Sequence, residues 1–543
     1  MDHEKFERAD FETAIQHAGY GRYQARLLCV CGIIYATCAM STTTLSFVLP
    51  SAECDFRLTS GDKGKLNATP LIGMIFGSFV WGTMADARGR RTAIMCALLL
   101  DALAAISSSV ANSFPLFLAC RFFNGMGVIG ATSLVFPYFG DFLSVRHRDV
   151  MLCRLEVFWT MGTILLPGLA WAVIPSPWWW FGASAAPVAP WRAFVGLCAV
   201  PPLLAAAALV HLPEAPRFLL DAGRKDSALN VIKNIHTANK NRTHFKVPFR
   251  VTSLSRSGKE GDSPPSHRRS SSAPPSFGSK SKSRGNVLHA SDGELPNYSK
   301  SSATLRRKLE ELLALSKTLF SPPYLKYILL VCFVDFGLMF SYYTLMMWFP
   351  DLFERFGAFG KMHPGESAGV CQVTSVVTLA LEGEKDIQNC SSAVNSEVFL
   401  HTLIVGLSCL PTSILVGLTI DKLGKKVLLV FMLISSGCAA VGLNWVNSSF
   451  QNLVLSCIFE AIISCTEAVL FCVIVEIFPP HLGATAMSLT VTCGRIGAIV
   501  GNVIFGLTID LNCIIPIYTF GALLITSGLL CLWLPKHVTR NNK

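Results

Sequence analysis

Apolar residues in this chain cluster in runs of about twenty, far longer than the alternation of a soluble helix or strand. Such runs lie near 27 to 49, 69 to 86, 92 to 110, 114 to 135, 151 to 174 and 193 to 212. After a long polar gap they resume near 324 to 349, 399 to 420, 427 to 446, 450 to 475, 485 to 509 and 513 to 534. At ~1.5 Å per residue, each is long enough to cross roughly 30 Å of hydrocarbon as a helix. A lipid-crossing segment has to satisfy its own backbone hydrogen bonds, so the pattern predicts an all-α membrane protein with two sets of six spanning helices. The polar start, MDHEKFERADFETAIQHAGYGRYQ, has no cleavable signal, and the first span is expected to direct insertion itself.

The two sets also share a motif. GTMADARGRR, Gly82 to Arg91, closes the second run of the first set, and a reduced copy, GLTIDKLGKK, Gly417 to Lys426, closes the second run of the other. In this reading a small glycine lets helices approach, the Asp binds a facing helix end or an Arg, and the cations keep the turn in the cytosol. The candidate gating residues are Gly82, Asp86, Gly89, Arg90 and Arg91, with Gly417, Asp421, Lys422, Gly424 and Lys425. A plain charged turn would serve one copy equally well, but the repetition argues for a shared role.

Charge then orients the chain. It is 51% hydrophobic and 15% charged, with a mean hydropathy of +0.47, beyond what a soluble domain can bury. The net charge of +11 is concentrated between Glu214 and Lys326, which hold 21 Lys and Arg against 9 Asp and Glu. The basic turns fall on the side of that loop, so the excess of cations there predicts cytosolic termini and a cytosolic central loop. The expected organisation is a tail over 1–26, a six-helix half over 27–220, a central loop over 221–323, a second half over 324–534 with an outer segment at 350–398, and a tail over 535–543. Val251 to Ser302 reads as disordered, with SHRRSSS and KSKSRG as phosphorylation or anionic-lipid segments, or as a plain linker. Thr304 to Phe320 has the leucine spacing of an amphipathic helix. Leu212 to Ile232 reads as an elbow carrying Glu214 and Arg217, followed by another such helix. Most of the 19 cysteines fall within spans. Cys371 and Cys390 lie together in the outer segment, where a disulfide between them is expected. Asn67, Asn389 and Asn447 begin sequons on that side.

Ionisable residues inside spans are costly and mark sites or structural pairs. They are Asp101, Arg121, Glu156, Asp335, Glu460, Glu467 and Arg495. Arg121 precedes Gly125, Gly127 and Gly130 in RFFNGMGVIG, a structural or proton-linked cation beside a close-packing glycine face. Glu156 is expected to pair with Arg154 or another cation. On a continuous helix Glu460, Glu467 and Phe471 share one face, as do Asp335, Met339 and Tyr342. The Ser41, Thr42, Thr43, Thr44 and Ser46 cluster either bonds its own helix or lines a pathway. No GxxxxGKS phosphate loop and no metal or cofactor motif occurs, so enzymatic activity and cofactors are not expected. Nucleic acid is not expected either, because the basic loop lacks aromatic interleaving.

The repeated turn, RxxxGxG in span four and PEAPRFLL after span six resemble the major facilitator superfamily, in the branch of sugar porters and organic ion transporters. FVLPSAE, YFGDFL, WAVIP, PWRAFVGLCAVP and FSYYTLMMWFPDLF resemble the synaptic vesicle glycoprotein 2 family and its insect-type relatives. That resemblance implies twelve spans in two halves, alternating access and a central cavity. Trp159 and Trp348 match its cavity aromatics, although Trp348 also fits an interfacial anchor. The chain departs from the family at Cys38 and Ser41, where span one commonly carries acids, at Gly483 after EIFPP, and at Ala87-Arg88 in the first turn. The implied function is secondary transport of a small organic solute, with carboxylates and aromatic faces suited to a cation. The alternative is a non-transporting relative that serves vesicle trafficking or partner binding through its loop. Expected partners are the solute and membrane lipids, with the chain acting as a monomer in the plasma or a vesicle membrane.

Overall fold

Twelve helices of the described residues are long and apolar enough to cross a membrane, and they fall on the predicted runs. The computed structural model describes residues 8–175, 189–240, 251, 253–255, 317–364, 366, 368–384 and 395–535. Helix α1 is Phe11–Ala18, and the first half then comprises α2 (Arg22–Ser51), the short α3 (Glu53–Phe56), α4 (Ser60–Arg88), α5 (Arg90–Ser109), α6 (Phe114–Gly140) and α7 (Val145–Val173). Its sixth span is broken into α8 (Pro190–Leu197) and α9 (Val200–Val210), after which come α10 (Pro216–Asp221) and α11 (Lys225–Lys240). The second half comprises α12 (Leu325–Met362), α13 (Val370–Glu384), α14 (Ser396–Leu423), α15 (Lys425–Gly442), α16 (Ser449–Ile463), α17 (Thr466–Ile477), α18 (Pro480–Thr508) and α19 (Ile514–Cys531).

The duplicated turns rest on glycine for a backbone reason. Gly89 between α4 and α5 has φ 104°, and Gly424 between α14 and α15 has φ 84°, a region that side chains disfavour. Close helix approach, by contrast, occurs elsewhere than expected. A Cβ at Gly82 or Gly417 would meet nothing within 4 Å, whereas one at Gly125 would lie 2.0 Å from the Pro70 carbonyl oxygen. Gly125 is therefore what lets α6 lie directly on α4.

At the end bearing the termini, α1 packs on α11, the amphipathic helix predicted after the elbow. Phe11, Ala14, Ile15 and Ala18 of α1 are buried, as are Ala228, Val231, Ile232 and Ile235 of α11. Asn239 fixes the pair by accepting from Tyr23 N at 3.0 Å and donating to the Gly19 carbonyl at 2.9 Å. A three-residue parallel pairing joins β1 (Arg8–Asp10) to β2 (Ser253–Ser255), the one departure from helix among the described residues. The remainder of Val251–Ser302 and most of Thr304–Phe320 lie outside the described residues, as do Asn389 and Cys390.

At the far end, the disulfide differs from the expected one. Cys371 is bonded to Cys513, in the turn between α18 and α19. Cys371 lies on the first turn of α13, a helix of 15 residues, and a sulfur bonded to Cys513 has no valence left for Cys390. Cys513 instead lies beside the start of that helix. Asn67 also departs from its reading as a sequon, being buried within α4, while Asn447 is exposed.

Candidate functional site

The repeated turn has a matched set of contacts in each half. Arg90 donates to Asp141, just past α6, and to the Pro137 carbonyl at 2.8 Å. Arg91 reaches the carbonyls of Leu209 and Val210 at the end of α9, at 3.1 and 2.7 Å. In the other half Lys425 pairs with Glu476 of α17 at 2.5 Å. Lys426 donates to the carbonyls of Leu532 and Leu534 beyond α19, at 2.7 and 2.5 Å. One cation thus binds the acid ending the fourth span of its half, and the next satisfies the open carbonyls of the sixth. Glu214 adds a contact in the first half, accepting from Arg91 N at 2.9 Å at the start of α5. Arg217 and Lys422 are exposed, Asp86 lies on the exposed final turn of α4, and the side chain of Asp421 lies outside the described residues.

Between the halves, charged and aromatic groups converge on a cleft. Tyr35 of α2 donates to Glu156 of α7 at 3.1 Å, and its ring packs against Trp159 at 5.1 Å. The Tyr35 bond replaces the expected pairing of Glu156 with Arg154, because α7 directs Glu156 inward. Across the cleft Arg495 of α18 donates to the Tyr343 hydroxyl at 3.0 Å and lies over its ring at 5.2 Å. Glu467, in the first turn of α17, lies within electrostatic reach of both Arg495 and Glu156. Arg495 is turned to Tyr343 and makes no ion pair with Glu467 among the described residues. Glu156 is exposed and Glu467 half-buried, so neither residue is sealed into the packed interior.

Other expected site residues lie behind this surface. Span ten is interrupted at Ser464 and Cys465, both still right-handed helical in backbone, and Glu460 and Glu467 both lie within electrostatic reach of Tyr342. The Thr466 hydroxyl bonds the Ile462 carbonyl at 3.0 Å, and such side-chain bonding competes with the helical ladder. Glu460 is buried toward Tyr342, and Phe471 is half-buried. Asp335 is 0% exposed, against Gly494 of α18, with neither carboxylate oxygen hydrogen-bonded among the described residues. Trp348 is also 0% exposed and packs on Phe505 at 4.8 Å, neither a cleft wall nor an interfacial anchor.

A second polar cluster lies within the first half. Asp101 of α5 accepts from Ser41 of α2 at 2.8 Å and from Asn124 of α6. Arg121 is buried beside it, donates to Ser108 at 2.6 Å and stacks over Phe117 at 5.0 Å. The Ser41 hydroxyl is thus occupied by Asp101, while Thr42, Thr43 and Thr44 bond carbonyls of their own helix.

The Major Facilitator Superfamily model matches residues 31–380 and 393–543. This chain belongs to the Major Facilitator Superfamily. Rat synaptic vesicle glycoprotein 2A is 32% identical over 370 residues, covering 66% of this chain and 46% of that protein. The chain therefore aligns with less than half the length of that relative. Mouse synaptic vesicle glycoprotein 2B is 26% identical over 626 residues, covering 99% and 87% of the two chains. Among solved structures, the inward-open xylose transporter XylE from E. coli superposes with a TM-score of 0.62 at 14% identity, covering 96% of this chain and 98% of XylE. Its partially occluded inward-open form gives 0.61 at 15% identity, covering 95% and 100%. These neighbours show the fold, and with the apolar helices they make this superfamily member a multi-pass integral membrane protein. Tyr35, Tyr343, Asp141 and Glu476 escaped sequence reasoning. For the two acids a signal was present, since YFGDFL and IVEIFPP each put an acid at the end of a fourth span.

Proposed function

We propose that this protein is a secondary transporter of a small organic solute, with a cation the best match, working by alternating access. The observation that carries this reading is the placement of one carboxylate from each half, Glu156 and Glu467, within electrostatic reach of each other beside Tyr35, Trp159 and Tyr343. With Arg495 these groups sum to one negative charge, which a single ammonium group would neutralise while resting on aromatic faces. Rocking of two halves about a central site is the general route for such folds. The basic loop and turns support cytosolic termini, and likeness to vesicle glycoproteins supports a vesicle or plasma-membrane location. Catalysis has no part in this reading.

Uptake of a panel of cationic, neutral and anionic solutes into proteoliposomes, with and without a pH gradient, tests it. Saturable cation uptake that falls in Glu467→Gln supports the reading. A panel without any saturable uptake by well-folded protein favours the non-transporting alternative. The Asp101 cluster favours that alternative, because every carboxylate oxygen there is engaged by a neutral donor and sealed from the cleft.

A further inference from the structure

At the end away from the termini, the two halves are joined by buried charges. Lys63, near the start of α4, donates to Asp351 of α12 at 2.6 Å and to Glu53 of α3 at 2.9 Å. Arg355, one turn after Asp351, reaches back to it at 2.9 Å, outward to Asp510 at 3.1 Å, and across to the Ser60 hydroxyl of α4 at 3.1 Å. Lys63, Asp351 and Arg355 are all buried. The signs alternate along Glu53, Lys63, Asp351, Arg355 and Asp510, and the chain passes between halves at Lys63–Asp351 and at Arg355–Ser60.

Two features of the fold bring these groups together. A Cβ at Gly64 would lie 2.6 Å from the Asn502 carbonyl oxygen, and one at Gly506 would lie 2.5 Å from that of Ser60, so paired glycines let α4 and α18 touch. Asp510 sits three residues before Cys513, in the turn that the disulfide ties to α13. Around the charges, Ser46 meets Met347 at 3.3 Å and Phe47 stacks on Phe399 at 6.0 Å, both across the same seam.

Charges in such a seam are stabilised only while each has its partner, because a lone buried charge is costly. Separating the halves by a small distance breaks Lys63 from Asp351 before water can replace either. A wide separation rehydrates both. The seam therefore favours a fully closed or a fully open state over a partly open one.

We propose that Lys63, Asp351 and Arg355 form a latch that closes this end and that its release is the step exposing the central cleft to that side. The proposal rests on the alternating-access reading, but its test needs no transported solute. The full chain is placed in lipid nanodiscs and labelled with a bulky, charged maleimide. Ser46→Cys reports the latch seam and Glu156→Cys the cleft, each read by mass against its parent without the added thiol. Lys63→Gln is expected to speed labelling at Ser46→Cys by about tenfold or more and to slow it at Glu156→Cys, the reciprocal change of a two-state shift. Lys63→Arg, which keeps the cation, is expected to preserve the parent pattern. Labelling that is unchanged at both positions, or faster at both, overturns the latch. If Lys63→Gln does not yield folded protein, Asp510→Asn carries the same test with the same two refuting results.

Discussion

Gly89 is where the repeated turn is most tightly constrained, and its replacement gives a quantitative test of how the motif works. Its φ of 104° belongs to glycine, and an added Cβ would lie 2.4 Å from a carboxylate oxygen of Glu214. In Gly89→Ala the backbone term costs about 1–3 kcal/mol. The displaced carboxylate also releases Arg91 N at the start of α5, a capping loss of about 0.5–2 kcal/mol. The single change is therefore expected to destabilise the protein by about 2–5 kcal/mol. Glu214→Ala removes the cap without the backbone term, at about 0.5–2 kcal/mol. In the double variant no carboxylate remains to be displaced, so its cost should fall short of the sum by roughly the cap energy, about 0.5–2 kcal/mol. Reversible unfolding in mixed detergent micelles measures all three. Strict additivity, or a neutral Gly89→Ala, would refute the assignment of Glu214 as the cap of α5.

Three further expectations concern other parts of the molecule. Non-reducing peptide mapping should recover Cys371 joined to Cys513, with the bond retained in Cys390→Ser and lost in Cys513→Ser; a Cys371–Cys390 peptide would contradict the structure. Loop closure over the 142-residue separation bounds its stabilisation at ~5 kcal/mol, and membrane insertion of the intervening spans should lower the measured value. Gly125→Val should cost at least about 1–3 kcal/mol by forcing α6 from α4, readable in the same micelle titration, and a neutral result would place the contact elsewhere. Glu467→Gln should keep normal folding while uptake is lost or made insensitive to pH, and full pH-dependent uptake would remove Glu467 from the mechanism.

Sequence periodicity located every span because the membrane imposes one length scale on all of them. It also located both turns, since glycine and paired cations are local signals. Side-chain partnership was less legible. Glu460 and Glu467 share a face on an unbroken helix, but a turn at Ser464 and Cys465 interrupts it, and one acid is buried while the other is half-buried. Tyr35 is an ordinary aromatic in sequence and becomes a site residue only because α2 and α7 place it against Glu156. Cys513 lacked any local mark of pairing, since 142 positions separate it from Cys371. The Ser41–Asp101 bond was equally invisible, as it depends on the packing of the first and third spans.

The matched contacts of the two turns change what the motif can be doing. Arg90 and Lys425 each bind an acid within their own half, and Arg91 and Lys426 each bind the last carbonyls of their own half's sixth span. These four cations, two in each half, therefore tie three helices of their own half into a unit, while the buried charges at the other end join the two halves. The two units are not equally secured. Where the first half has Leu212-Pro213-Glu214, the second has Leu534-Pro535-Lys536, so the carboxylate that caps α5 has a cation as its counterpart. Among the described residues a Cβ at Gly424 would meet nothing within 4 Å, where one at Gly89 would meet Glu214. The glutamate at the start of α5 complements the dipole of that helix. Among the described residues the turn of the first half thus carries one contact that its counterpart does not, and Glu467 lies in the half without it.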